Sequence, residues 1–160
     1  TATLDSLGNV NLANCAASIA IGTDGLAVIS YYDATNQDLK VAHCDNAACS
    51  SAALATVDDS VGDMGRYNAI TIGADGLPVV SYYDATNQDL KVAHCGDRAC
   101  QSAVLTTVDS EGATGSSTSI TIGTDGLPVI SYVLNDSYDG DRLKVAHCSN
   151  AFCTPYVRPR

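Results

Sequence analysis

The fifteen residues SYYDATNQDLKVAHC run from Ser30 to Cys44 and return unchanged from Ser81 to Cys95. A looser third copy, SYVLNDSYDGDRLKVAHC, occupies Ser131 to Cys148. The triplet DGL opens at Asp24, Asp75 and Asp125, which sets the period at 51 and then 50 residues. A fixed period decides architecture before any motif does, and this chain of 160 residues reads as three repeats and two loose ends.

Within the second repeat, NAITIG is a short β-branched stretch, and Asp75-Gly76 then separates it from the apolar run LPVVSYYDAT. Asp-Gly between two such runs is a hairpin signal, because glycine tolerates the positive φ of the turn. In the run, Val79, Ser81 and Tyr83 face one way while Pro78, Val80 and Tyr82 face the other. Both faces are largely apolar, so the strand is expected to be covered on both sides. NQD makes the next turn, LKVAHC is a third strand, and AVLTTVD is a fourth beyond a cysteine-bounded bend. The expected fold is all-β: three four-stranded antiparallel repeats of about 50 residues, resembling the blades of a propeller. A β-trefoil, which also uses three repeats and twelve strands, is the alternative.

Six of the seven cysteines form one pattern, Cys44/Cys49, Cys95/Cys100 and Cys148/Cys153, each with four residues between. A bend of that length brings two Cα atoms within disulfide range. Each closed loop would constrain the unfolded chain by about 2 kcal/mol, and three of them imply an oxidising, extracellular compartment. The competing reading makes His43, His94 and His147 metal partners of the cysteines that follow them, but adjacent strand residues point to opposite faces. Repetition of the histidines at one position favours packing or hydrogen bonding, and Lys40, Lys91 and Lys144 are expected to pair with acidic turns. Cys15 has no counterpart and is read as a free buried thiol or an intermolecular bridge.

Eight basic against eighteen acidic residues leave a net charge of −10, which argues against nucleic acid or an anionic membrane as partner. No apolar run is long enough to span a bilayer. The chain opens at Thr1 without a visible signal peptide and is read as a mature product or fragment.

The N-terminal ATLD, Ala2-Thr3-Leu4-Asp5, matches ATVD at Ala55–Asp58 and TTVD at Thr106–Asp109, which close repeats one and two. The third repeat has no such strand; its tail TPYVRPR carries Pro155 and Pro159, which cannot donate ladder hydrogen bonds. The repeats are therefore placed at about 15–66, 67–116 and 117–160, the last completed by strand 1–5 of the same or a neighbouring chain. Two copies would close six blades, and a non-closing version would grow a filament.

The segments SITIGTDGLPVISY (Ser119–Tyr132) and YYDATNQDLKVAHC resemble a repeat found in tandem in large secreted proteins of environmental bacteria. The resemblance implies a secreted, propeller-like repeat module and carries no catalytic motif. The Asp-Gly turn shares only its outline with the sialidase Asp-box, which ends in a tryptophan that this chain lacks.

No nucleophile–base pair, phosphate loop or zinc signature is present, so the chain is read as non-catalytic. Acidic turns are the candidate ligand loops: DATNQD at Asp33–Asp38 and Asp84–Asp89, and Asp136, Asp139 and Asp141 around Gly140 for Ca²⁺. No other cofactor is expected. One tyrosine of each pair Tyr31-Tyr32 and Tyr82-Tyr83, with Tyr32 and Tyr83 as the candidates, is available to stack on a glycan if it reaches the surface. The expected function is that of a secreted, self-assembling surface or filament subunit with strand exchange. The alternative is a multivalent carbohydrate-binding module.

Overall fold

The computed structural model describes residues 1–8 and 17–154, and every regular element among them is a β-strand. The first sheet is β1 (Ala17–Ile21), β2 (Ala27–Asp33), β3 (Asp38–Cys44) and β4 (Ala52–Asp58). The second is β5 (Met64–Ile72), β6 (Pro78–Asp84), β7 (Asp89–Cys95) and β8 (Ala103–Asp109). The third is β9 (Ala113–Ile122), β10 (Pro128–Asn135) and β11 (Arg142–His147). Each sheet is an antiparallel meander of sequence neighbours. Three separate sheets of this kind are propeller blades and rule out the trefoil.

Local chemistry explains the hairpins. Gly25, Gly76 and Gly126 sit at φ +79°, +82° and +81°, the left-handed region that only glycine enters without strain. The preceding aspartates accept the amide of the residue two positions on, at 3.1 Å in all three repeats. The blades begin a few residues earlier than the repeat boundaries expected at 67 and 117, at Met64 and Ala113. The reason is a pair of register shifts in β5, and in β9, which carry the ladder past the point where sequence alternation stops.

The doubly covered strand is as expected. In β6, Val79 and Val80 are both buried although they face opposite ways. What covers them is the neighbouring blade. One apolar cluster joins Val28, Leu39 and Val41 of the first blade to Ile70, Val80, Tyr82 and the Cys95–Cys100 pair of the second. The other joins Val79, Leu90 and Val92 to Ile120, Ile130, Tyr132 and the Cys148–Cys153 pair of the third. The core of this chain is therefore its two seams.

Each seam is drawn tight by a glycine. A Cβ on Gly65 would lie 2.7 Å from the Leu39 Cα, and one on Gly115 would lie 2.8 Å from the Leu90 Cα. Beside them the backbone crosses between blades, with Met64 N–H donating to Gln37 O at 2.8 Å and Thr114 N–H to Gln88 O at 2.9 Å. Buried serines complete the contact: Ser30 donates to Asn68 at 2.7 Å, and Ser81 pairs with Thr118 at 2.9 Å. Gly115→Ala combines a φ of +105° with that clash. It is expected to lower unfolding free energy by roughly 1–3 kcal/mol, read from urea denaturation.

Candidate functional site

The three disulfides are formed as read, Cys44–Cys49, Cys95–Cys100 and Cys148–Cys153, with Cα separations of 5.0, 4.8 and 4.7 Å. Each closes the bend that follows a blade's third strand. Cys15 lies outside the described residues. The histidines are structural: Nε2 of His43, His94 and His147 lies 2.9, 3.0 and 2.8 Å from the carboxylates of Asp24, Asp75 and Asp125. Each pair ties the Asp-Gly turn of a blade to its own third strand.

The acidic turns expected to face a ligand are closed on themselves. Asp33 and Asp84, both 2% exposed, cap their own turns by accepting the amides of Thr35 and Thr86 at 2.9 and 3.0 Å. The side chains of Asn36 and Asn87 donate to the second oxygens. In the third repeat Asp136 and Asp139 converge on the Arg142 guanidinium at 2.9 and 3.0 Å, while Asp141 accepts the Asp136 amide. Among the described residues no group of three or more His, Cys, Asp or Glu is placed to hold a metal ion.

Tyr32 and Tyr83 are not open platforms either. Tyr32 is buried, with the Arg66 guanidinium carbon 5.7 Å from its ring centre. Tyr83 is half-buried, its ring 6.1 Å from that of Tyr67.

The other tyrosine of each pair has a different task, which sequence reasoning missed. Tyr31, Tyr82 and Tyr132 donate their hydroxyls to Asp5, Asp58 and Asp109 at 2.8, 2.6 and 2.6 Å. The same carboxylate oxygens accept from Lys40, Lys91 and Lys144. Each lysine nitrogen also lies 5.6–5.7 Å from the centre of its tyrosine ring. Asp58 and Asp109 end the fourth strand of one blade, while tyrosine and lysine belong to the next. The lysines thus pair across a seam, and Lys40 also reaches Asp33 of its own acidic turn at 3.5 Å, as expected of it.

Burial works against the ionised Asp58, but Lys91, Ser60 and Tyr82 outweigh it and hold the carboxyl below its ordinary value. Burial together with the Asp58 charge pushes the Tyr82 hydroxyl well up. The signal was present in sequence as the shared Asp of ATLD, ATVD and TTVD.

Residues 1–5 use that same contact. They form no strand in the third sheet; Asp5 reaches Tyr31 and Lys40, and Ala2–Asp5 line a pocket with Ile29, Tyr31 and Ala42 of the first blade. Completion of the third blade by its own chain's first strand is thus not realised. The chain's first segment occupies the place of a fourth strand preceding blade one.

One cleft is open between blades two and three, with a volume of about 650 Å³. It is lined by the apolar Ala113 and Leu134 and by the polar Gln88, Glu111, Asn135 and Asp141, with Tyr138 beside them. Tyr138 is 98% exposed. The corresponding place between blades one and two is crowded by polar contacts, with the Thr86 hydroxyl accepting the Asp63 amide at 2.8 Å. The third repeat has Ala113 where the second has Asp63, and Leu134 where it has Asp84. Its turn is three residues longer, reaching Leu143 where the second repeat reaches Leu90. That lengthened turn is the sequence signal for the cleft.

No family model and no curated protein matches this chain. Solved structures do. A protein of unknown function from Dyadobacter fermentans aligns over 89% of this chain and 40% of its own, with TM-score 0.62 and 12% identity. A thermostable family-43 glycoside hydrolase aligns over 91% of this chain and 51% of its own, with TM-score 0.60 and 16% identity. A fucose lectin from Kordia zhangzhouensis, solved with methyl-fucoside, aligns over 84% of this chain and 99% of its own, with TM-score 0.54 and 10% identity. The chain therefore spans about half or less of the first two and nearly the whole of the lectin. At these identities the likeness is one of fold, an all-β blade architecture.

The seam carboxylates contribute to the acid response together with the turn aspartates Asp33 and Asp136, which are lowered in the same direction. Asp5, Asp58 and Asp109 are each held below their ordinary value of 3.8, so their contribution is complete above that pH and is lost as pH falls beneath it. Asp38 and Asp89, raised chiefly by burial and by neighbouring carboxylates, run the opposite way and soften the fall. In urea titrations across pH 2–6, Asp58→Asn is expected to be less stable than the parent at pH 6. Its loss of stability toward pH 2 should be visibly shallower.

Proposed function

We propose that this chain is a secreted, non-catalytic saccharide-binding module built from propeller blades. The observation that carries the reading is the cleft between blades two and three. The exposed Tyr138 lines it together with the apolar side chains of Ala113 and Leu134 and with amide and carboxylate groups. A sugar ring needs both kinds of surface: an apolar face for its C–H groups and fixed acceptors for its hydroxyls. The acidic lining and the net charge of −10 favour neutral sugars over anionic ones.

The likeness to the fucose lectin over nearly its whole length supports this class. A hydrolase reading is less well supported. Asp136 is held below its ordinary value by the amides of Tyr138 and Asp139, and so stays anionic, the wrong state for a general acid. Three disulfides suit a non-cytoplasmic, oxidising compartment, and secretion follows from them in this proposal.

A second reading, a surface or filament subunit that acts by assembly, is favoured by a separate observation. The third blade has three strands among the described residues, and its Leu143 and Val145 are exposed.

The saccharide reading is tested on a glycan array and by calorimetric titration of each hit. Tyr138→Ala and Asp141→Asn are expected to weaken binding about tenfold or more with an unchanged circular dichroism spectrum. Tyr32→Ala should instead lower stability, since its ring is buried. A parent protein that binds no glycan, or binds equally well after Tyr138→Ala, overturns the assignment.

A further inference from the structure

Both seams inside the chain join two unlike faces. The forward face of a blade offers a leucine and a valine of its third strand, Leu39 and Val41 or Leu90 and Val92, all 0% exposed. The rear face of the following blade offers an isoleucine of its first strand, Ile70 or Ile120, at 6% and 9%. One of each face is left over. The forward face of blade three carries Leu143 and Val145 at 77% and 63% exposed, and the rear face of blade one carries Ile19 at 63%. The cover that suits each is thus already in the chain, at its other end.

We propose that a second copy of this chain makes the missing seam, its third blade stacking forward face first on blade one. This deepens the assembly reading and stands apart from the saccharide one. Two features fit the rear of blade one to receive it. Tyr31 and Lys40 hold Asp5, the contact that Tyr82 and Lys91 make with Asp58 of the blade before them. Residues 1–5 are therefore seated where a fourth strand, which the third blade lacks among the described residues, belongs in the incoming blade.

The register follows from the first blade, where Leu39, Lys40 and Val41 face Asp58, Thr56 and Ala55. Leu143, Lys144 and Val145 of the arriving copy would face Asp5, Thr3 and Ala2. Docking then buries the apolar face and pairs the open edge of β11 in one step. Two such seams between two copies satisfy both ends and close the pair.

Light scattering on the eluting protein measures this. The intact chain is expected at two chain masses or a higher multiple. Leu143→Asp and Ile19→Asp should each run as single chains, with unchanged circular dichroism because both sites are exposed. Mixing the two variants leaves one forward and one rear face intact and should restore a pair of two masses and no larger species. A single-chain mass for the parent at high concentration overturns both the seam and the assembly reading. Variants that keep the parent's mass overturn the seam alone and place assembly on another surface. Variants that lose it but fail to recombine overturn the forward-to-rear arrangement.

Discussion

The stacking of blade on blade is the contact from which the rest follows. A single sheet of about 45 residues with apolar side chains on both faces has no core of its own. Its large side chains are buried only when a neighbour lies on each side. Fully burying a leucine or valine is worth about 1.5–3 kcal/mol, and the seams bury Val28, Leu39, Val41, Val79, Leu90 and Val92 completely. Gly65 and Gly115 matter because they let the backbones approach closely enough for this to happen. Stability in such an array is largely a nearest-neighbour quantity.

Polar groups drawn into the seams have to be matched one for one. Asp58 is 1% exposed and accepts from Tyr82 at 2.6 Å and from Lys91 at 2.7 Å. Removing one partner of a buried charge costs far more than the pair gains over an apolar substitute, so the three residues act as a unit that also fixes how the blades align. The disulfides do something different. Each closes a bend within one blade, with five residues of separation, and so staples the unit without dictating its neighbour.

Much of this was legible in the letters. The period gave the blades, Asp-Gly gave the first hairpins, and the cysteine spacing gave the bridges, because each depends on contacts a few residues apart. What was hidden lies across the seams. Tyr31 and Tyr32 are adjacent and chemically identical, yet one donates to a carboxylate of the preceding segment while the other packs under Arg66. Strand alternation says that they face apart, not what each face meets. The acidic turn DATNQD looked like a ligand loop because its composition is that of one. Its first carboxylate is instead consumed by the amides of its own turn.

The place where the third repeat departs from the first two is physically permitted for the same reason the others agree. The segment SYYDATNQDLKVAHC contributes to a seam along its strands, and Leu90 packs so near Gly115 that a Cβ there would lie 2.8 Å from the Leu90 Cα. In the first two copies the turn meets the following blade through Gln37 and Gln88, whereas among the described residues no blade follows the third copy for its longer turn to disturb. The third copy keeps the Tyr and Lys that reach Asp109, and keeps LKVAHC, while it exchanges the turn for a longer one held by Arg142. With Leu134 in the place of the capping aspartate, the cap passes to Asp136, which accepts the amides of Tyr138 and Asp139, and Leu134 instead lines the cleft. A binding surface can thus be gained at the rim of a blade without cost to the stacking that holds the blade.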